Sequence, residues 1–362
     1  MLFDSVPKPV PDYAVFNGDV EEFLDSLSPD ATHFNLVATS PPYNIGKSYE
    51  KRTGLDEYMS WQSRVIEKIV RRLKPGGSVC WQVGNHVKGT GRKAIVTPLD
   101  ILFHPIFESL GLTLRNRIVW KFGHGTNAKL RFSGRYETVM WYTKGDDYTF
   151  NLDPVRIPQK YPSKKYYRGP KKGEYSGNPL GKNPEDVWDI PNVKANHIEK
   201  TIHPCQYPVG LLEPLILALT NEGDLVFDPY AGVCTTGAAA ALHNLRFWGC
   251  EIDRAGNDNA SKEKLRAYAK QHGLDERLVE KGNENDLRAS LNAEGLVVPS
   301  YAEIGAERVQ QALDGTLEYR PWDKPIYDSS QTKLSELPIE MLQARAEAAR
   351  GERDVQLEVD VD

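Results

Sequence analysis

Hydrophobic positions along this chain follow two alternating rhythms. Short runs of strand type stand at Tyr13–Asn17 ("YAVFN"), His33–Ser40 ("HFNLVATS") and Ser78–Gly84 ("SVCWQVG"). Successive side chains of a strand point to opposite faces, so a run that is apolar throughout predicts a strand buried on both. Between these runs, Leu55–Leu73 carries Tyr58, Trp61, Val65, Ile69 and Leu73 on or near one face of a helix. The following Lys74-Pro75-Gly76-Gly77 reads as that helix's stop. "PLDILFHPIFESLG" predicts another helix ending at Gly111, and "LRNRIVWKF" and "YETVMWYTKG" predict two more strands. The repeated strand-helix-strand order predicts an α/β sheet with helices packed on both faces.

The pattern breaks between Asp147 and Lys200, where Pro, Gly, Lys and Tyr replace the apolar periodicity. It resumes with a helix at "LLEPLILALT", a strand and loop at "GDLVFDPYAG", a helix at "TTGAAAALHNL" and a strand at "RFWGCEID". After about Gly273 the chain turns charged and rich in Ala and Glu, which predicts a peripheral extension with a frayed acidic end.

Composition adds limits. The 362 residues are 40% hydrophobic and 26% charged, enough to bury a sizeable core, and the net charge of -5 does not mark the whole molecule as a polyanion binder. Charge is uneven, however. Residues 156–200 hold 10 Lys or Arg against 5 Asp or Glu, interleaved with tyrosines. That mixture suits a surface that meets phosphates and stacks on bases. No apolar run approaches the ~18 residues of a membrane span. The opening residues lack the basic-then-apolar build of a signal peptide, and Cys80, Cys205, Cys234 and Cys250 lack metal-ligand spacing. A reducing, cytoplasmic setting without a structural metal is the expectation.

Two stretches carry candidate chemistry. The strand at His33–Thr39 leaves through Ser40-Pro41-Pro42-Tyr43. Two prolines fix φ near -65° and push the preceding residue toward extended geometry, so a rigid loop presents a hydroxyl, carbonyls and an aromatic ring. The second stretch is Leu225–Asp253, "LVFDPYAGVCTTGAAAALHNLRFWGCEID". A strand runs into Asp228-Pro229, a turn of small residues follows, then a helix, and about 20 residues on the next strand ends at Glu251. This is the layout of a nucleotide-type site at the carboxyl ends of parallel strands. It lacks the G-x-G-x-x-G fingerprint of a dinucleotide site and the Gly-Lys-Ser/Thr of a P-loop.

Taken together, these stretches resemble the DNA amino-methyltransferases, the S-adenosyl-L-methionine-dependent group that methylates N4 of cytosine or N6 of adenine. Thr39–Tyr43 looks like their catalytic motif. "FDPYAGVCTTGAAA" looks like their methionine-pocket motif, "HPCQYP" at His203–Pro208 like the His-Pro-x-Gln-x-Pro stretch before it, and Asn17-Gly18-Asp19 like a further short motif. The likeness spans roughly Val15 to Ala269 in the motif order of the beta subgroup. One position departs: Cys234 stands where the family usually has the second glycine of its cofactor turn, and its Cβ narrows the approach there.

The resemblance implies a Rossmann-like methyltransferase sheet interrupted by an irregular target-recognition insertion. Residues 1–146 and 201–272 would form the catalytic and cofactor-binding halves, 147–200 the insertion and 273–362 the extension. Ser40, Pro41, Pro42 and Tyr43 would be catalytic. Asp19 would sit near the adenine of the cofactor, Asp228 at its methionine amino group and Thr235/Thr236 at its carboxylate, and Glu251 at its ribose. Pro229, Tyr230 and Gly232 would line that pocket, and His203 and Gln206 would fix the loop beside it. Lys164, Lys165, Arg168, Lys171 and Lys172 would meet double-stranded DNA.

Ser rather than Asp at position 40 leans toward N4 of cytosine, with N6 of adenine as the alternative. An RNA or protein methyltransferase, or a silent DNA-binding regulator on the same fold, are further readings. Pro204-Cys205-Gln206 also resembles the nucleophile motif of cytosine-C5 enzymes, but the surrounding His-Pro-x-Gln-x-Pro frame accounts for it better. A cognate restriction endonuclease as partner, and a monomer or a homodimer, are left open.

Overall fold

The computed structural model describes residues 1–322 except 29–30, 47–51, 90, 124, 126, 195–196 and 254. The chain forms β1 (Leu2–Phe3), β2 (Tyr13–Asn17), α1 (Val20–Ser26), β3 (Phe34–Thr39), α2 (Leu55–Arg72), β4 (Leu73–Val83), β5 (Asn85–Lys88), β6 (Ile95–Pro98), α3 (Leu99–Ser109), β7 (Thr113–Lys121) and β8 (Tyr136–Thr143). It continues through β9 (Val187–Asp189), α4 (Val209–Leu219), β10 (Leu225–Asp228), α5 (Thr235–Leu242), β11 (Arg246–Glu251), α6 (Lys262–Gln271), α7 (Glu276–Lys281), α8 (Glu284–Ala293) and α9 (Tyr301–Leu313).

Among the described residues, nine strands make one sheet in the order β1-β2-β11-β10-β3-β4-β8-β7-β9. The run from β1 to β4 is parallel, β8 is antiparallel to both β4 and β7, and β9 rejoins parallel to β7. Each apolar strand reading above falls on one of these strands, and the sheet is the expected α/β sheet. Phe34 and Phe227 stack across β3 and β10 with ring centroids 4.3 Å apart, and Phe23 of α1 stacks on Phe227 at 5.6 Å. These rings join Val65, Ile66 and Ile69 of α2 and Phe103 and Phe107 of α3 in one buried core. On the other face, α4 and α5 pack on β3, β10 and β11. Half of the helix α5 is alanine, and a Cβ at Gly237 would come within 2.5 Å of the Phe247 ring, so small residues let it lie close to β11.

Two compact units emerge: residues 1–150 with 186–321, and a second unit whose described part is 151–185 and Trp322. The second unit is largely irregular. Isolated bridges join Ile157 to Lys182 and Lys165 to Tyr175.

Two expectations need correction. The insertion expected over 147–200 is shorter, since 147–150 and 186–200 lie in the sheet unit: β9 pairs with β7, and Trp188 and Glu199 are buried. The extension expected to be peripheral from residue 273 is not, since α9 packs on α5, β1, β2 and β11, and Tyr301, Ala302, Arg308, Val309 and Ala312 are buried. Its face is hard to read because Ala302, Gly305, Arg308 and Ala312 outnumber the larger Tyr301 and Val309 in it. The frayed acidic end falls at residues 323–362, outside the described residues. As the spacing predicts, α2 stops at Arg72 ahead of Lys74–Gly77, and these four residues belong to β4. Its extra residues are taken up as a bulge, since pairing with β3 jumps from Phe34↔Leu73 to Leu36↔Ser78, and Gly76 turns at φ +75°. The hairpin β5-β6 was not anticipated.

Candidate active site

The chain leaves β3 for β4 on one side and β10 for β11 on the other, while β3 and β10 lie side by side and parallel. Such a reversal of strand order opens a crevice at the carboxyl ends of the two strands. The Ser-Pro-Pro-Tyr loop begins at the end of β3, and Asp228 ends β10.

Asp228 is fully buried. Its Oδ1 accepts from the Thr39 hydroxyl at 2.6 Å and from the Tyr230 N–H at 3.1 Å. Its Oδ2 accepts from the Thr236 hydroxyl at 2.7 Å and the Tyr207 hydroxyl at 3.2 Å. Burial still raises its pKa above the ordinary carboxylate value, against the pull of these donors. Both oxygens are therefore engaged inside the protein. Through Thr39, the residue before Ser40, this carboxylate ties the two motif-bearing strand ends together.

In the loop after β3, the Ser40 hydroxyl donates to the Tyr43 hydroxyl at 3.1 Å. The Tyr43 hydroxyl lies 2.8 Å from Gln82 Oε1 and 3.2 Å from Glu137 Oε2, and Gln82 Nε2 donates to that same Glu137 oxygen at 2.5 Å. Burial raises the Glu137 pKa, opposed by its bonds to Gln82 and Tyr43. A Cβ at Gly84 would come within 3.2 Å of both Glu137 Oε1 and the Tyr43 ring, so a side chain there would press on both. The Tyr58 hydroxyl donates to the Pro42 carbonyl at 2.7 Å and holds the loop from α2. The donations run outward from Ser40, which leaves the lone pairs of its oxygen available as acceptors.

The turn after β10 contains two left-handed residues, Gly232 at φ +53° and Cys234 at φ +51°. The Gly232 N–H donates to Glu251 Oε2 at 2.7 Å, which fixes the turn against the end of β11. Glu251 Oε1 has no partner among the described residues. Burial raises the Glu251 pKa to about 7, helped by Asp253 and Asp228 and opposed by the Gly232 N–H. Neighbouring β2 ends beside it, with the Gly18 N–H donating to the Glu251 carbonyl at 2.9 Å. Asp19 follows and caps α1, accepting from the Glu21 N–H at 2.7 Å. Tyr230 donates to Gln62 at 3.1 Å and packs edge-on to Trp61 and Trp81. Thr235 and Thr236 open α5, but their hydroxyls point to Tyr207 and Asp228.

His203 lies beside Gly232, with Nε2 3.4 Å from where a Cβ would stand. Burial and the nearby Lys200, Lys264 and Arg308 lower its pKa to about 3, so it is neutral. Gln206 uses its amide on its own loop: Oε1 accepts from Thr201 N–H at 3.0 Å and Nε2 donates to the Glu199 carbonyl at 2.7 Å. Lys164, Lys165, Arg168, Lys171 and Lys172 are all exposed in the second unit. Backbone bonds between Tyr166 and Glu174 and between Ser176 and Lys164 pin the base of their loop, and the Lys165 ammonium stands 4.9 Å from the Tyr175 ring centre.

The structure thus gathers Ser40–Tyr43, Asp19, Asp228–Gly232, Thr235, Thr236, Glu251 and His203 along one edge of the sheet. The motifs contain Thr39 and Tyr207 without giving either a role, and sequence reasoning missed Gln82 and Glu137. Gln82 and Glu137 were visible as polar residues inside the apolar runs "VCWQVG" and "YETVMWY", the kind of exception that is informative in a buried strand.

Comparison with known proteins places this arrangement. A family model described as DNA methylase matches residues 34–261. The Type II methyltransferase M.BglII of Bacillus subtilis is 50% identical over 240 residues, 66% of this chain and 65% of that protein, so about a third of that relative's length has no counterpart in the match. The DNA adenine methyltransferase YhdJ of Escherichia coli (strain K12) is 32% identical over 247 residues, 66% of this chain and 78% of that protein. Among solved structures, the PvuII cytosine-N4-specific DNA methyltransferase matches with a TM-score of 0.51 at 18% identity, over 84% of this chain and 95% of that one, a likeness of fold. The matched residues run from β3 through β11 and carry both strand-end motifs, and the chain belongs to the N6/N4 DNA methylase family.

Proposed function

We propose that this protein transfers a methyl group from S-adenosyl-L-methionine to an exocyclic amine of a base in double-stranded DNA, with N4 of cytosine as the target atom. The observation that carries the reading is the placement of Ser40 one residue from Thr39, which is bonded to Asp228 at the head of the candidate cofactor turn.

The residues present fit the cofactor. Glu251 offers a carboxylate oxygen without a partner among the described residues at the end of β11, suited to ribose hydroxyls. The left-handed Gly232 keeps the turn free of a side chain. The start of α5 favours an anion such as the methionine carboxylate, since helix N-termini carry partial positive charge. For Asp228 the assignment shifts: with both oxygens engaged, it acts by positioning Thr39, Thr236, Tyr207 and the Tyr230 backbone. S-adenosyl-L-methionine supplies a methyl group made electrophilic by its sulfonium.

An exocyclic amine is a poor nucleophile, because its lone pair is delocalised into the ring. The base must also leave the stack to be reached. The Ser40 oxygen and the Pro41 carbonyl accept the amine hydrogens and draw the nitrogen toward tetrahedral geometry. Gln82 and Glu137 fix the Tyr43 hydroxyl, so its ring is held ready for the base. A hydroxyl acceptor at position 40 favours cytosine N4 over adenine N6, where a carboxylate is the commoner acceptor.

Two surfaces are assigned to DNA. One is the exposed lysine loop of the second unit. The other is the β7-β8 connection, residues 122–135, which carries Lys129, Arg131 and Arg135 and no acidic residue. It exposes Leu130 and all of Phe132, and it ends two residues before Glu137 of the catalytic edge. Apolar side chains flanked by arginines suit a wedge that holds a stack open after a base has left it. Incubation with duplex DNA and isotope-labelled S-adenosyl-L-methionine, followed by nucleoside mass spectrometry, tests the whole reading. It predicts label in N4-methylcytosine; label in N6-methyladenine would move the target atom, and no labelled base in the DNA would overturn the proposal.

A further inference from the structure

The helix α9 lies beyond residues 34–261, the stretch shared with the family, yet it reaches the candidate cofactor turn directly. A Cβ at Gly305 would stand 2.4 Å from Cys234 Sγ, 3.0 Å from its Cβ and 3.2 Å from its backbone nitrogen. No side chain larger than hydrogen fits at 305 while Cys occupies 234. Cys234 itself adopts φ +51°, a conformation that suits glycine, and is fully buried. Its thiol is directed into α9, so the narrowing expected from its Cβ falls on the helix side of the turn.

One helical turn further along, Arg308 is buried and donates to the Val233 carbonyl at 2.6 Å and the Thr235 hydroxyl at 3.1 Å. Its guanidinium also lies 3.6 Å from Glu199 Oε2, which accepts the Val209 N–H at 2.8 Å. A buried guanidinium without such partners would be costly, so this one fixes the residues on both sides of Cys234. At the start of α9, the Tyr301 N–H donates to Asp253 Oδ2 at 2.7 Å, two residues after Glu251. The Lys264 ammonium binds the same oxygen at 2.6 Å and stands 4.3 Å from the Tyr301 ring centre. The Tyr301 ring meets His203 edge-on at 4.6 Å, and His203 lies beside Gly232.

We propose that α9 is a clamp on the cofactor turn, in which Gly305 and Cys234 form a matched pair and Arg308 is the positioning residue for Val233 and Thr235. Through it the C-terminal extension shapes cofactor affinity without touching the reacting atoms. The proposal rests on the cofactor reading given above.

The test is a rescue experiment in the full-length protein. Gly305→Ala places a methyl group against Cys234, and overpacking of this kind is costly enough to weaken S-adenosyl-L-methionine binding roughly tenfold. KM for the cofactor should rise while kcat at saturating cofactor stays near wild type. Adding Cys234→Gly removes the opposing Cβ and thiol, and the double variant should return to within about threefold of wild type. Hydrogen exchange at residues 231–237 should follow the same order without any cofactor: faster in Gly305→Ala, restored in the double variant. If Gly305→Ala fails to fold, recovery of folding in the double variant reads the same pairing. Unchanged affinity and exchange in Gly305→Ala, or a double variant no better than the single, would overturn the clamp. Restored exchange in a protein that binds no S-adenosyl-L-methionine in any form, wild type included, would instead support the pairing and refute the cofactor reading.

Discussion

Replacing Asp228 separates a cofactor ligand from an internal tie. In Asp228→Ala, the hydroxyls of Thr39, Thr236 and Tyr207 and the Tyr230 N–H all lose an acceptor in a site closed to water. A buried donor left unsatisfied costs about 1–3 kcal/mol. Two of the four have recourse, since Thr236 lies 3.2 Å from the Ala38 carbonyl and 3.0 Å from the Tyr207 hydroxyl. Relief of the buried charge offsets part of the rest. The net loss is then roughly 3–5 kcal/mol, a large share of the ~5–15 kcal/mol that stabilises a typical domain. Thermal and urea unfolding of the cofactor-free protein would show it, with a fall in melting temperature on the order of 10 °C. The pH dependence has a definite sign. Folding raises the Asp228 pKa, so its contribution is fully present below the ordinary carboxylate value and declines as pH rises through the raised one. Asp228→Asn, which mimics the protonated form, should lack that component, and the difference between it and wild type should move in its favour with rising pH. Wild-type stability in cofactor-free Asp228→Ala, together with lost cofactor affinity, would refute the internal tie and return Asp228 to the role of a simple ligand.

Ser40→Ala should keep cofactor affinity and lower the single-turnover rate by about 10²–10³, the scale of one lost acceptor in a transition state; wild-type turnover would make the loop a mere strand terminator. Cofactor affinity should weaken as pH falls below about 7, because ribose hydroxyls bind the ionised Glu251, and Glu251→Gln should flatten that profile in calorimetric titrations. Removing the charges of Lys171 and Lys172 should weaken binding to all duplexes alike and lower the slope of log K against log salt by up to about 2, leaving the methylated atom unchanged. Phe132→Ala should preserve cofactor binding but reduce the fluorescence rise of 2-aminopurine placed at the target base; an undiminished signal would remove the β7-β8 connection from base extrusion.

How far the sequence alone reached is clear from particular residues. The apolar runs gave β3, β4, β10 and β11 because a strand buried on both faces has little freedom in composition. The Ser-Pro-Pro-Tyr loop was legible because proline imposes its geometry locally. Glu251 was legible because small-residue turns and strand-end acids keep a fixed spacing. Local rules could not supply the partners of those residues. Thr39 and Asp228 are 189 residues apart, and Gln82 and Glu137 are 55 apart on antiparallel strands. Only sheet order brings each pair to one edge. The same holds for α9: only Tyr301 and Val309 bring large apolar side chains to its buried face, because a glycine needed for close approach to Cys234 and an arginine needed to satisfy a buried carbonyl weaken the apolar period. The sequence determined which elements form and which residues can do chemistry; the tertiary structure decided which of them meet, since a hydrogen bond or a close contact exists only between groups that folding has brought within a few ångströms.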